Sequence, residues 1–384
     1  MVQEIFPIDK LKNIETPFYY YDITLLKNTL KTVKEEVKKR NYTVHYAVKA
    51  NANRKILETI AALGFGADCV SGNEVKAAAL AGFPPSKIVF AGVGKTDKEI
   101  TTALEIEISC FNVESLPELL TIDEIARKKG KTANVALRIN PNVDAKTHKY
   151  ITTGMEENKF GFNISQISSV LKMLPSLENV KLIGVHYHIG SQIQNMDVFK
   201  QLCDQALEIQ KIFDESNIQL EHINLGGGLG INYTHPSEEL IPDFEAYFKV
   251  FEENLRIKNL KVHFELGRSL VAQCGSLITK VVYVKEGISK KFVITDAGMT
   301  DLIRPALYGA FHKIENLTSD LAKQTYDIVG PICESSDCFA TDYMLNEAKR
   351  GDILALRSAG AYGEVMASGY NLRALPKAYY SDLL

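Results

Sequence analysis

The chain has 384 residues, 46% of them apolar, which suits one large domain or two of ordinary size with a sizeable core. Lys and Arg number 44 against 47 Asp and Glu, so the net charge of -3 gives no reason to expect nucleic acid or a membrane surface as partner. No apolar run reaches the roughly 20 residues that span a bilayer, and the N-terminal MVQEIFPIDK lacks the features of a signal peptide. We therefore expect a cytoplasmic protein that binds a small molecule.

The cysteines form neither CxxC pairs nor the spacing of a zinc site, and the six stand at Cys69, Cys110, Cys203, Cys274, Cys333 and Cys338. Such scattered cysteines are typical of reduced thiols in a reducing compartment. A functional role for any one cysteine must therefore be argued for that residue by itself.

Short β-branched or aromatic segments recur through the first part of the chain. Eight of them are predicted strands, at residues 43–50, 65–71, 87–92, 108–113, 133–140, 182–190, 222–228 and 262–268. Segments with helical spacing, such as NRKILETIAAL and VFKQLCDQALEIQKIF, lie between them. Eight strands alternating with helices favour a (β/α)8 TIM barrel over an open doubly wound sheet.

The pattern changes after Cys274. VVYVKE, KFVITDAG, TYDIVG and DILALRSAGAYG are typical of strands joined by Gly, Asp and Ser turns, with little helical spacing. The N-terminal FYYYDI has the same character and is expected to join them. The predicted fold class is α/β: a barrel over residues 24–273 with a second, mainly β domain formed by residues 1–23 and 274–384.

Polar side chains cluster where the predicted barrel strands end. Reactive groups of such barrels lie at the carboxyl ends of the strands. That position is held here by Lys49, Asp68, Ser71, Glu114, Arg138, Asn140, His186, His188, Glu265 and Arg268. A lysine at a strand end is usually a surface amine, but so many polar neighbours make Lys49 a candidate nucleophile.

The stretch LGGGLG, residues 225–230, follows the seventh predicted strand. Consecutive glycines let backbone N–H groups approach an anion without a Cβ in the way, and the loops after strands seven and eight are the usual phosphate site of a barrel. A tight turn explains the same glycines. The location therefore favours a phosphate site more strongly than the motif does.

Glu265 and Arg268 flank Gly267 on the eighth predicted strand. Taken alone, they suit an ion pair that closes the barrel. Together with an amine on the first strand and a phosphate site after the seventh, the carboxylate suits the protonated ring nitrogen of pyridoxal phosphate. Lys49 would then hold the aldehyde of that cofactor as a Schiff base.

His186 and His188 are two residues apart in a predicted strand and are expected on one face of it. An HxH pair can ligate a metal, which makes a metal-dependent hydrolase an alternative. A complete metal site needs further ligands from neighbouring strands, whereas an imidazole stacked on a cofactor ring does not. We therefore predict no metal.

Nearly the whole chain resembles the diaminopimelate decarboxylase family, within the alanine-racemase-like, fold-type III pyridoxal phosphate enzymes. The motifs stand in the family's order: YAVKAN (46–51), INPNVDAKTHKYITTG (139–154), KFGF (159–162), HIGSQ (188–192), GGGLG (226–230), ELGR (265–268), LIRPALYGAFH (302–312), GPICESSD (330–337) and AYG (361–363). The resemblance implies a lyase of lysine biosynthesis that converts meso-2,6-diaminopimelate to L-lysine and carbon dioxide. A related ornithine, lysine, arginine or carboxynorspermidine decarboxylase is the alternative.

The resemblance also implies the cofactor residues. Lys49 would carry pyridoxal 5'-phosphate, His188 would stack on its ring, and Glu265 would pair with the ring nitrogen and keep it a strong electron sink, as decarboxylation requires. The phosphate would be bound by Ser191, Gly226, Gly227, Gly228, Gly267 and Arg268, with Tyr362 nearby.

Substrate recognition is assigned by the resemblance to the β domain and the eighth strand. Arg268, Arg304 and Tyr308 would bind the carboxylates, with Tyr362 beside them, and Glu334 would bind the distal amine. Basic amino acid decarboxylases of this group usually have Cys-Asp where this chain has Cys333-Glu334. Cys333 would be the acid that protonates the α-carbon after carbon dioxide leaves.

A homodimer with shared active sites is implied, because Cys333 and Glu334 reach the partner's site in this group. Lys159 and Asp337 match residues that form a salt bridge across that interface, although each taken singly suits a solvated surface charge. A non-catalytic regulator on the same fold is disfavoured, because it has no use for Lys49, Glu265 and Cys333 together.

Two positions depart from the family pattern, and one segment suits a lid. Leu266 replaces the usual Pro of EPGR, and Ala374 replaces the first Pro of the terminal motif. Neither change removes a catalytic group, although Leu266 is expected to loosen the turn at Gly267. The segment 143–159 has the length and rim position of a loop that closes over the substrate.

Overall fold

In a computed structural model, the described residues are 6–144, 159–257 and 259–384. They form two units. The barrel unit comprises Leu30–Gly230 and Asp243–Arg268, and the β unit comprises Met1–Thr29, Ile231–Pro242 and Ser269–Leu384. Within the described ranges, no helix is both long and apolar enough to cross a membrane.

The barrel unit contains a closed ring of eight parallel strands, which confirms the predicted fold class. After β1 (Phe18–Tyr21) of the β unit, its strands are β2 (Tyr42–Ala47), β3 (Gly66–Cys69), β4 (Ile88–Phe90), β5 (Cys110–Val113), β6 (Ala133–Arg138), β7 (Val180–His186), β8 (His222–Asn224) and β9 (Lys261–Leu266). The ring closes where β9 pairs with β2. Each predicted strand is present, although most end earlier than predicted.

The described helices begin with α1 (Ile8–Leu11) and α2 (Ile23–Arg40), and most of the others follow a barrel strand. They are α3 (Arg54–Ala62), α4 (Gly72–Leu80), α5 (Asp97–Ile106), α6 (Leu116–Lys129), α7 (Ile164–Met173), α8 (Asp197–Glu215), α9 (Phe244–Asn254), α10 (Arg268–Val271) and α11 (Arg304–Tyr308). Side chains cap several helix starts by accepting first-turn N–H groups, among them Asn53, Ser71, Thr96, Ser115 and Asp243. These caps fix where each strand-to-helix loop ends.

The β unit is built on an eight-stranded sheet. Its remaining strands are β10 (Gly275–Glu286), β11 (Lys291–Thr295), β12 (Ile314–Asn316), β13 (Lys323–Val329), β14 (Cys338–Asn346), β15 (Ile353–Leu356) and β16 (Lys377–Tyr380). The N-terminal strand joins this sheet as predicted, because β1 pairs antiparallel with β10 and parallel with β16. Phe6, Leu11, Phe18, Ile278 and Ile353 are among the buried residues that pack in its core.

Three histidines of neighbouring barrel strands contact one another. His45 Nε2 lies 3.3 Å from His263 Nδ1, and the His222 ring stacks on that of His263 with centroids 4.7 Å apart. Burial lowers the pKa of His45 and His222 to about 4 and that of His263 to about 2. All three imidazoles are therefore neutral at pH 7.

Candidate active site

Lys49 follows β2 in a single 3-10 turn, Val48–Ala50, at the rim of the barrel. Its Nζ lies 3.5 Å from Oδ2 of Asp68, which lies on β3 and is fully buried. Burial raises the pKa of Asp68 to about 7, with a further increase from Glu265, while Lys49 opposes both. The rim thus holds an amine next to a carboxylate that depends on it as a counterion.

Glu265 is buried on β9 and is surrounded by donors. Its Oε1 accepts hydrogen bonds from Nδ2 of Asn112 at 3.1 Å and of Asn224 at 2.7 Å, and its Oε2 lies 2.8 Å from Nε2 of His186. Burial raises the pKa of Glu265 and lowers that of His186 to about 3. The neutral His186 therefore donates Nε2–H to the carboxylate.

This arrangement leaves room for one more donor at Glu265. An ionised carboxylate has about four lone-pair sites, and Asn112, Asn224 and His186 use three of them. The remaining site suits a protonated ring nitrogen. No role was predicted for Asn112, Asn224 or Asp68; the available signal was a polar residue inside each apolar strand.

β7 ends at His186, so the expectation that His186 and His188 share a strand face is wrong. His188 lies in the segment after the strand, half-buried, and its Nδ1 accepts the N–H of Gly227 at 3.4 Å. Desolvation lowers the pKa of His188, and Lys49 and Arg138 lower it further. The ring is therefore a neutral, flat group at the rim.

The glycines after β8 have no room for side chains. A Cβ on Gly226, whose φ is +68°, would lie 2.3 Å from the carbonyl oxygen of Tyr187, and one on Gly227 would lie 2.0 Å from that of Glu265. The N–H of Gly226 donates to Oδ1 of Asn224 at 3.0 Å, whereas that of Gly227 makes only the longer bond of 3.4 Å to Nδ1 of His188. We therefore expect Gly227 and Gly228, rather than Gly226, to supply N–H groups to an anion.

Arg268 and Ser191 meet on the same side of the barrel unit. Nε and Nη2 of Arg268 lie 3.2 and 3.1 Å from Ser191 Oγ. Gly267, just before α10, packs closely on the turn that carries Lys49, because a Cβ there would lie 3.1 Å from Cβ of both Ala47 and Ala50. Leu266 is fully buried and pairs in register with Tyr46.

Other polar rim residues support the barrel loops. Nη1 of Arg138 lies 2.7 Å from Oε1 of Glu114, and the two Glu114 oxygens also accept the N–H groups of Gly92 and Gly161. Burial opposes ionisation of Glu114, yet Arg138 lowers its pKa. Ser71, also predicted at the rim, caps α4. These residues therefore tie loops together.

In the β unit, Arg304 begins α11 and is buried. Its Nη1 donates to the hydroxyl of Tyr233 and lies equally close, at 2.9 Å, to Nε2 of His312. Tyr308 ends the same helix and is half-buried, and Tyr362 is half-buried with a φ of +57°. All of these residues belong to the same unit.

Cys333 and Glu334 are exposed on the segment between β13 and β14. Asn371 accepts the N–H of Cys333 at 3.1 Å, and the Ser336 hydroxyl donates to Glu334 Oε2 at 3.1 Å. Asp337 stabilises the segment, because its two carboxylate oxygens accept the N–H groups of Met299 at 2.6 Å and Ile332 at 2.7 Å.

Asp337 is only 4% exposed, so its interpretation as a solvated surface charge is wrong. It is buried because two backbone N–H groups need its oxygens, and because Gly298 and Gly330 have no side chains to exclude it. Lys159 is exposed, as its single charge suggested. Most of the segment 143–159, the predicted lid, lies outside the described residues.

The candidate metal ligand His186 is hydrogen-bonded through Nε2 to the carboxylate of Glu265. In the part of the chain that the structure describes, no group of three or more His, Cys, Asp or Glu side chains is arranged to hold a metal ion.

Comparisons with known proteins agree on one family. The pyridoxal-dependent decarboxylase family, by its pyridoxal binding domain, matches residues 24–272. The chain is 58% identical to the diaminopimelate decarboxylase of Bacteroides thetaiotaomicron over 382 residues, 99% of each chain. It is similar to the structure of the Helicobacter pylori diaminopimelate decarboxylase complexed with L-lysine, with a TM-score of 0.91 and 40% identity, covering 97% of this chain and 94% of that one. The M. jannaschii diaminopimelate decarboxylase in co-complex with L-lysine gives a TM-score of 0.90 and 39% identity, covering 98% and 90%.

Proposed function

The chain belongs to the pyridoxal-dependent decarboxylase family, and on that premise we propose that it converts meso-2,6-diaminopimelate to L-lysine and carbon dioxide, the last step of lysine biosynthesis. It is a carbon-carbon lyase with pyridoxal 5'-phosphate as cofactor. The observation that carries the substrate is the full-length similarity to the Bacteroides enzyme, which favours this reaction over the related ornithine, lysine, arginine or carboxynorspermidine decarboxylations. The six cysteines are free thiols, which supports a cytoplasmic location.

The barrel residues fit the cofactor. Lys49 binds it through its amine, with Asp68 as counterion. The glycines 227 and 228, together with Ser191 and the start of α10, would bind the phosphate, since backbone N–H groups without a neighbouring Cβ can approach an anion. His188, a neutral imidazole at the rim, would contact the ring.

Pyridoxal phosphate, when bound, supplies an electron sink for the pair released as the carboxylate leaves. Glu265 keeps the proton on the ring nitrogen, and the donors Asn112, Asn224 and His186 hold its carboxylate in place. Burial, which raises the pKa of Glu265, also excludes the water that would screen the attraction between this carboxylate and a protonated ring nitrogen. The thiol of Cys333 returns a proton to the α-carbon once carbon dioxide has left.

The first test is the near-ultraviolet and visible absorbance spectrum of the purified protein, before and after addition of meso-diaminopimelate. We expect a visible band that changes with substrate, and L-lysine as the product. Lys49→Ala removes the band, while Lys98→Ala, at an exposed lysine of α5, keeps it. A protein that stays colourless after incubation with pyridoxal phosphate would contradict the proposal.

Glu334 binds the distal ammonium of the substrate, and related decarboxylases whose substrates end in an amine alone usually have Asp at this position. Glu334→Asp is therefore expected to lower kcat/KM for diaminopimelate relative to lysine and ornithine. The measurement is the ratio of catalytic efficiencies among the three substrates. An unchanged ratio would remove Glu334 from the specificity site without affecting the assigned reaction.

The active enzyme is a homodimer in which Cys333 and Glu334 serve the site of the partner subunit. Support comes from the exposure of both residues on a well-fixed segment. Lys49→Ala and Cys333→Ala proteins, each inactive alone, should regain up to about a quarter of full activity when subunits exchange, because half the dimers are mixed and carry one intact site. Absence of recovery in verified mixed dimers would show that each site is built within one chain. The Lys159–Asp337 salt bridge belongs to the same proposed interface.

A further inference from the structure

Arg304 is held by two neutral side chains of the β unit. Its Nη1 lies 2.9 Å from both the hydroxyl of Tyr233 and Nε2 of His312. Its guanidinium carbon also lies 5.0 Å from the centre of the Tyr233 ring, and the Tyr233 and His312 rings pack edge to face with centroids 5.2 Å apart. The three side chains form one packed cluster, in which Arg304 and His312 are buried.

The backbone of Arg357 fixes the tautomer of His312. Nδ1 of His312 lies 2.9 Å from the Arg357 carbonyl oxygen, which can only accept, so Nδ1 carries the proton. Nε2 therefore presents a lone pair to Arg304. A neutral imidazole in this tautomer is the form that can accept from a guanidinium.

Two contacts to Nη1 fix the direction of the Arg304 guanidinium. The Tyr233 hydroxyl and Nε2 of His312 each lie 2.9 Å from that nitrogen. A guanidinium that is oriented before the ligand arrives suits the binding of a substrate carboxylate.

We propose that His312 and Tyr233 are positioning residues that hold Arg304 for the carboxylate of the distal amino acid head, and so contribute to substrate specificity. This inference rests on the proposed function, because it takes diaminopimelate as the substrate, and on the resemblance, which assigns Arg304 to a substrate carboxylate. Fixing a long side chain before binding reduces the conformational entropy lost when the ligand arrives. Loss of His312 therefore weakens carboxylate binding and leaves the chemical step largely unchanged.

The test compares L-lysine with cadaverine, which has the same two amines but no carboxylate. Dissociation constants of both are measured by calorimetry on the holoenzyme, and KM and kcat with diaminopimelate. His312→Leu is expected to raise KM and the dissociation constant of lysine about tenfold, or about 1.4 kcal/mol, with cadaverine binding and kcat changed less than about threefold. His312→Gln, which retains an oxygen acceptor, should restore most of the lysine affinity.

Tyr233→Phe is a second test of the positioning of Arg304, because it keeps the aromatic ring and removes only the hydroxyl. It should weaken lysine binding but not cadaverine binding, and it decides the question if His312→Leu does not fold. Equal losses for lysine and cadaverine, or unchanged lysine binding in both variants, would overturn the inference.

Arg304→Ala separates this outcome from a failure of the proposed function. If Arg304→Ala weakens lysine selectively while the His312 and Tyr233 variants do not, the positioning role is wrong and the role of Arg304 stands. If Arg304→Ala itself leaves lysine binding unchanged, the carboxylate site lies elsewhere and both assignments to this cluster fail.

Discussion

Glu265 accepts hydrogen bonds from three side chains, all of which are neutral at pH 7. The carboxylate is thus held by dipoles, and burial raises its pKa. At the scale of single residues, the chemistry of the barrel rim depends on this balance between desolvation and hydrogen bonding.

Glu265→Gln is expected to lower kcat/KM by about 10² to 10³-fold, because an amide cannot hold a proton on the ring nitrogen. The apoprotein should remain as stable as the unaltered chain, since the substitution removes a carboxylate whose ionisation burial opposes. Steady-state kinetics and thermal unfolding measure the two effects. Glu105→Gln, at an exposed position of α5, is the control. A Glu265→Gln enzyme whose kcat/KM stayed within about threefold of the unaltered value would contradict the role.

Lys49, His188 and Glu265 could be singled out from the sequence because each stands at or just beyond a strand end, where a barrel concentrates its reactive groups. Asn112 and Asn224 could not, since one polar residue in an apolar strand does not reveal what it faces. Their function depends on Glu265, which is far away in the sequence and adjacent only in the folded barrel.

The turn formed by Gly226, Gly227 and Gly228 packs so closely on neighbouring atoms that no side chain fits there. Gly227→Ala would press a methyl group on the carbonyl of Glu265. We expect a loss of about 1–3 kcal/mol in the free energy of unfolding and weaker retention of pyridoxal phosphate. Denaturant unfolding of the apoprotein and cofactor titration measure these effects.

Gly94→Ala is the matched control for that substitution, because a Cβ at Gly94 meets no atom within 4 Å. If the Gly227 and Gly94 variants behaved alike, the close approach of β9 to this turn would not constrain position 227.

The segment that carries Cys333 and Glu334 depends on Asp337 in a similar way. Asp337→Ala leaves the N–H groups of Met299 and Ile332 without their acceptors, at a cost of about 1–3 kcal/mol for each buried group. We expect faster amide hydrogen exchange in peptides that contain these two residues. Asp320→Ala, at an exposed position, is the control and should leave the exchange rates unchanged. Equal exchange rates in the two variants would show that Asp337 does not stabilise the segment.

Among the elements, the barrel strands were predictable because apolar runs alternate with segments that have helical spacing. The strands β12, β14 and β16 were not predicted. β12 and β16 have only three and four residues and contain polar side chains, so their extended form comes from pairing with β15 and β1. Such pairing is non-local and leaves little trace in local sequence patterns.

Across the whole molecule, buried titratable groups give stability a dependence on pH. The folded chain holds His45, His186, His222 and His263 with lowered pKa values of about 4 or less. Below the unfolded value near 6.5, the unfolded chain takes up protons that the folded chain does not. Asp68 and Glu74, with pKa values raised to about 7, act in the opposite direction between about pH 4 and 7.

Each histidine with a lowered pKa makes the free energy of unfolding of the apoprotein fall as pH drops from about 6.5 toward about 4, whereas buried carboxylates with a raised pKa, among them Asp68, Glu74 and Glu265, oppose that fall. Each histidine contributes a slope of about 1.4 kcal/mol per pH unit in that window and nothing above it. His222→Gln should reduce the slope by one such increment, as measured by denaturant unfolding across this window. His235→Gln, at an exposed position, should not, and an unchanged slope in the His222 variant would contradict the assignment.

The position of β1 in its sheet has a consequence for synthesis on the ribosome. Residues 18–21 are translated long before their neighbours on the two sides, which are residues 275–278 and 377–380. All eight barrel strands are translated in the interval. The strand β1 therefore waits with an unpaired edge until residues 377–380 have been made, and its aromatic residues are exposed to premature association during that time. Because β16 covers that edge of β1, translation through residue 380 is needed to close the sheet.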